Sequence, residues 1–184
     1  FLAEIPDSTW TALTRNLPKG SFFASIASAN WREIWKYGER AFRYCQLDIG
    51  HAFTALRLAV AGWEMYLIKD ITDEDLGNIL GINQLVYVDD TEREHPALFF
   101  LIVPAQSENH DQIMSELRGF GECRKEALKT FAADWKRAGK HNQLSHGHTD
   151  WDIITAATKA SKKVSIGEAK KEPQAESSNS NSNN

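Results

Sequence analysis

Several small groups of residues have the chemistry to bind or react. Arg40, Arg43 and Tyr44 place two guanidiniums beside a phenol, just ahead of an apolar segment. A guanidinium offers a planar fork of donors, so this group can grip an anion or a cofactor. It can equally bridge elements, with Arg40 paired to Glu39 or Glu33. His51 opens the apolar segment, where an imidazole is more often a cap or a hydrogen-bonded core group than a catalyst. Asp73, Glu74 and Asp75 suggest paired-carboxylate hydrolysis, but acids in the first turn of a helix are explained by its dipole. His146 and His148 with Asp150, and His141 nearby, look like metal-ligand material. Zinc needs three or four ligands brought together, and the missing ones have no evident source, so a polar linker without metal is the better reading. Glu92, Glu94 and His95 are read the same way, as a solvated loop.

The elements that must position these groups follow from periodicity. From about Ile49 to Ala61 the chain reads as an almost wholly apolar helix, in which only His51, Thr54 and Arg57 are polar. A helix apolar nearly all round is normally a central, buried one. This one is too short to span a bilayer. Ahead of it, Pro6 to Leu17 and Trp31 to Tyr37 read as helices, with Asp7 or Ser8 and then Asn30 as their caps. Ser21 to Ala27 reads as a strand. After Gly62, Trp63 to Lys69 alternates as a strand. Thr72 to Leu80 is a short helix with a good cap and a glycine stop at Gly81. Leu85 to Val88 reads as extended, Asp89 to Pro96 as a charged loop, and Ala97 to Val103 as a buried strand closed by Pro104. Asn109 to Arg137 has helical spacing with a break near Gly119 and Gly121. A last helix spans roughly Trp151 to Lys162.

Bulk properties narrow the classes. The 184 residues are 42% hydrophobic and 25% charged, the make-up of an ordinary globular protein. A net charge of −4 without a basic patch argues against nucleic acid. No apolar run reaches membrane length and no signal peptide is visible. Cys45 and Cys123 lack any CxxC spacing and are expected to be free, buried thiols, which fits a reducing cytosolic or organellar compartment, with the cytoplasm as the expected location. Phosphate-cradling glycine loops and a GxSxG elbow are also missing. The start at Phe1 without a Met suggests a segment of a longer or processed chain. The Ser/Asn-rich run from Ser177 to Asn184 is expected to stay unfolded.

Read as a phrase, Trp35 to Cys45 followed by Leu47 to Ala52 resembles the nitroreductase family, in its SagB-type, thiazoline/oxazoline dehydrogenase-like branch. There, a comparable "YGERAYRY…LDAGH" phrase leads into a long central helix that ends in Gly and passes into a strand. The run from Trp135 to Ser145, with Trp151, resembles the linker that joins two halves in tandem members. The resemblance implies an α+β fold of the FMN-dependent nitroreductase type, here a partial domain with a central buried helix and a small sheet. It divides the chain into residues 1–134, the C-terminal part of such a domain; residues 135–162, a linker and short helix; and residues 163–184, a disordered tail. The Arg-x-Ser segment that grips the FMN phosphate in the family is not found.

The resemblance further implies an oxidoreductase in which hydride passes through flavin N5, the cofactor carrying the chemistry. Its partners would be an unknown small substrate, a nicotinamide electron donor, and a second half, as a homodimer or an intrachain tandem pair. Carried over residue by residue, Lys69 and Asp70 fall near the flavin ring. Arg40, Tyr44 and His51 line the cofactor or substrate side. The competing expectation is a truncated or degenerate, flavin-free fold that serves as an interaction module.

Overall fold

The computed structural model describes residues 2–84, 93–105, 110–133, 136–138 and 151–164. The core is organised by one strand. β4 (His95–Val103) lies between β2 (Phe22–Ser28) and β3 (Glu64–Leu67), antiparallel to both. The apolar run of β4 has side chains going alternately to the two faces of the sheet, and both faces are covered. Phe99, Leu101 and Val103 join a large cluster built from α1 (Asp7–Leu13), α4 (Asp73–Ile79), α5 (His110–Leu117), α6 (Phe120–Cys123) and α7 (Lys125–Ala133). On the opposite face, Phe100 stacks on Phe53 of α3 (Ala41–Ala59), with ring centroids 5.6 Å apart. The result is a small three-stranded antiparallel sheet between helical layers, an α+β architecture.

A second, smaller cluster holds the ends of the helices together. Trp31 and Ile34 of α2 (Asn30–Tyr37) pack with Ala41 and with Ile154 of α8 (Asp152–Ala160). Between α2 and α3, Gly38 takes φ +54°, and a Cβ there would come within 3.2 Å of the Trp151 ring. Only glycine accepts that backbone while letting the indole so close. A two-stranded antiparallel ribbon pairs β1 (Leu2–Glu4) with β5 (Lys136–Ala138), so the chain after α7 returns to its own beginning.

Most expected elements are present with shifted ends. The strand read from Ser21 appears as β2, that from Trp63 as β3, and the Thr72 cap and Gly81 stop bound α4. The long helical stretch after Asn109 is broken into α5, α6 and α7, with Gly119 in a left-handed conformation at the break. Asn30 begins α2 but does not cap it; its side chain donates instead to Thr158 Oγ1 at 2.9 Å. Pro6, not Asp7 or Ser8, precedes α1. Cys45 is buried, as expected, whereas Cys123 is exposed. The readings of Leu85 to Val88, of Glu92, and of His141, His146, His148 and Asp150 fall outside the described residues.

The largest correction concerns the apolar helix. It starts at Ala41, so most of its polar lead-in is already helical, and it is not buried. Only Ala41 and Cys45 of α3 are buried, while Leu58 is 72% exposed and Leu47 51%. The physical reason is layering. α3 covers one face of a sheet only three strands wide, and no described element lies on the far side of its C-terminal half.

Candidate functional site

Three of the five residues singled out in the sequence share one stripe that runs along α3 and the turn leading into it. From Tyr44 the positions Leu47, His51, Ala55 and Leu58 follow at steps of three and four, the spacing that aligns side chains along a helix. Arg40 lies one turn ahead, in the short 3-10 turn Gly38–Arg40 that leads into α3. Phe42, Ile49, Phe53 and Leu56 occupy the opposite side, toward the sheet. Tyr44 is half-buried because its ring lies against Tyr37, with centroids 4.5 Å apart, and Lys36 sits over Tyr37. Arg40, Leu47, His51, Ala55 and Leu58 are exposed. Among the described residues the side chains of Arg40 and His51 make no hydrogen bond or ion pair, so the pairing of Arg40 with Glu39 or Glu33 is not made.

Lys69 and Asp70 lie elsewhere. The Asp70 carboxylate accepts the Gly119 N–H at 2.9 Å, and its carbonyl accepts the Gly121 N–H at 2.7 Å. A Cβ at Gly121 would stand 2.9 Å from that carbonyl, so the approach depends on glycine. Asp70 thus ties the loop after β3 to the start of α6, a structural use of its side chain. Lys69 is exposed and lines a cavity of about 340 Å³ with Leu67, Ile71, Leu76, Leu98 and Phe99. The five residues therefore do not converge on a single pocket.

A larger concavity, about 610 Å³, opens between α3, the start of β4, α4 and the end of α8. Its size is that of a small-molecule site. Phe42 and Ile49 form part of one wall, and polar groups are spread over the rest: Asn30, Gln46, Asp73, Arg93, His95 and Lys162 among them. Thr72 Oγ1 caps α4, accepting the Asp75 N–H at 3.0 Å and donating to the Asp75 carboxylate at 2.7 Å. Asp73 clamps the chain after α8: its N–H donates to the Lys163 carbonyl at 3.0 Å, and its carboxylate accepts the Lys163 N–H at 3.1 Å. Burial pushes the Asp73 carboxyl up from its ordinary range, partly offset by that bond. Asp73 and Leu98 also line the smaller cavity, which places the two concavities side by side.

His95 is the residue that sequence reading missed. It belongs to β4, opposite Ser28 of β2, and not to a solvated loop. Burial, then the positive charges of Arg93 and Lys162, push its imidazole down to about 4. The ring is therefore neutral at pH 7, and no described residue bonds to it. The signal was present in the sequence: a histidine directly ahead of Pro96 and a long apolar strand sits at a strand's first positions, where proline is tolerated.

A second polar cluster lies on the other face of the sheet. Tyr66 Oη donates to the Glu64 carboxylate and is 3.0 Å from His110 Nδ1. The phenol has one hydrogen, committed to Glu64, so His110 must donate from Nδ1. Burial, followed by the Glu64 bond, pushes Tyr66 up to about 12. Neither cavity reaches this cluster.

Among the described residues no group of three or more His, Cys, Asp or Glu is placed to hold a metal. No described helix is long and apolar enough to cross a membrane. No protein-family model, curated protein or solved structure matches the chain.

Proposed function

We propose that the chain is the C-terminal part of an FMN-dependent oxidoreductase resembling the SagB-type nitroreductases, and that it works as one half of an assembly. In this reading the outer stripe of α3 is one wall of the flavin site. The observation that carries it is the coincidence on that stripe. Arg40, Tyr44 and His51, singled out by the resemblance, share it with the exposed Leu47 and Leu58. Covering what is still exposed of these two leucines is worth roughly 1–2 kcal/mol each. A second half, as a partner protomer or a tandem domain of the same polypeptide, covers this face and completes the site.

The residues fit a flavin as one wall and not as a cradle. Arg40 brings a cation suited to a phosphate, Tyr44 an aromatic ring and His51 an imidazole, but the face lines neither of the two cavities. The remaining grip belongs to the second half. FMN, when bound, supplies hydride transfer through N5 to or from a small substrate, with a nicotinamide as the donor class. The chain's own residues orient it and exclude water.

The use made of Asp70 favours a second reading. Its carboxylate and carbonyl are both committed to the start of α6, as in a fold kept for assembly without flavin. Flavin titration separates the two. The oxidoreductase reading predicts FMN uptake by the native-length protein, weakened at least tenfold by Leu58→Glu. The module reading predicts assembly through α3 with no FMN uptake at all.

A further inference from the structure

The cleft beside His95 has a feature that the flavin reading does not use. Its charged lining is balanced overall: Arg93, Lys162 and Lys163 oppose Asp73, Glu74 and Glu94. The balance is not local. Asp73 bonds to the main chain of Lys163 and also feels the Lys162 charge, and Glu74 belongs to the first turn of α4, where the helix dipole already favours it; of the charges in the cleft, those that act on the His95 ring are Arg93 and Lys162 and not Glu94. Among the described residues, Arg93 gives one guanidinium nitrogen to Asn83 Oδ1 and makes no other bond with its fork. Lys162 has no ion pair among the described residues. From α3 and β2 the facing groups, Gln46 and Ser28, are neutral. A half-buried imidazole with no partner among the described residues therefore stands beside two cations in a concavity large enough for a ligand.

We propose that this part of the cleft binds a small oxyanion, a phosphate ester or a carboxylate, between Arg93, Lys162 and the His95 ring. The chemistry is direct. A guanidinium fork and an ammonium attract the charge, and the imidazole offers an N–H. The anion also offsets the two positive charges that disfavour protonation of the ring, so the ring gains affinity for a proton as the anion binds. Binding and proton uptake are then linked, and the anion binds more tightly as the pH falls.

The test is a proton NMR titration of the histidine rings in the intact chain, with inorganic phosphate and acetate as separate arms. The His95 signals are assigned as those lost in His95→Gln. The expected result is saturable binding in the millimolar range or tighter, a His95 titration midpoint raised from about 4, and affinity increasing from pH 7 to pH 5. Lys162→Gln alters an exposed position and should fold normally, yet it is expected to weaken the anion at least tenfold. A response to phosphate alone assigns a phosphate ester, a response to acetate alone a carboxylate, and an equal response to both an oxyanion site that does not select between them. No saturable binding in either arm overturns the proposal, as does full affinity in Lys162→Gln. Inorganic phosphate needs no flavin and Lys162 is not on the α3 stripe, so this site and the flavin wall stand or fall separately.

Discussion

His95 couples the fold to pH in a way its neighbours make predictable. Its ring is held at about 4, against an ordinary value of 6.5, because the charged form loses water and meets Arg93 and Lys162. Between those values the unfolded chain takes up a proton that the folded chain refuses. The stabilisation is complete above pH 6.5 and is lost as the pH falls toward 4. Its full size is on the order of 2–3 kcal/mol, discounted for partial exposure. Asp73, pushed up by burial, acts in the opposite direction at the acid edge of this window. The informative quantity is therefore a difference: urea midpoints measured at pH 7 and pH 4.5 should separate more for the native chain than for His95→Gln. Arg124 presents the contrasting case of a buried charge with every side occupied. Its Nε donates to the Leu13 carbonyl at 2.8 Å, its other nitrogens reach the carbonyls of Glu116 and Arg15 and the Glu116 carboxylate, and Phe120 lies against it. Arg124→Ala should cost about 3–5 kcal/mol, because it orphans carbonyls and a carboxylate at the junction of α1 and α5. Chemical denaturation of the two chains measures it directly.

At the scale of elements, α4 was legible and α3 was only half so. The sequence Thr72-Asp73-Glu74-Asp75 announces a capped N-terminus, and the cap forms as read. Thr72→Ala is expected to cost about 1 kcal/mol, measured as a shift in thermal midpoint, since the Asp75 N–H loses its acceptor. β4 was legible for a similar reason: seven apolar residues ending at Pro104 leave little choice but a covered strand. α3 shows where local pattern runs out. Its apolar composition gave the element, but burial depends on what lies on each side, and that is a property of the assembled layers. The sheet offers one face to Phe53, and the outer stripe remains open. Leu58→Glu should consequently change the stability of the isolated chain by no more than about 0.5 kcal/mol, the size usual for exposed positions. A loss of several kcal/mol would mean that the stripe is covered within this chain. His95 was lost to the reading for the converse reason. Charged neighbours on its N-terminal side suggested a solvated loop, while its true neighbours, Lys162 and the end of α8, are distant in sequence.

The whole molecule is a two-sided sheet with unequal sides. One face carries the large cluster with five helices, and the other carries α3, with exposed Phe22, Trp63 and Leu67 near its margin. That asymmetry supports the reading of the chain as half of an assembly, with the outer face of α3 as the shared wall. The residues that the family resemblance selected divide accordingly. Arg40, Tyr44 and His51 belong to the open side, whereas Asp70 belongs to the internal architecture of the closed side. The most direct measurement is the flavin content of the native-length protein, read from its visible absorption and from FMN released on heating. The account predicts a yellow protein that retains FMN and loses most of it in the Leu58→Glu and His51→Ala double variant. A colourless protein that takes up no FMN, or one whose FMN content is indifferent to both substitutions, would contradict it.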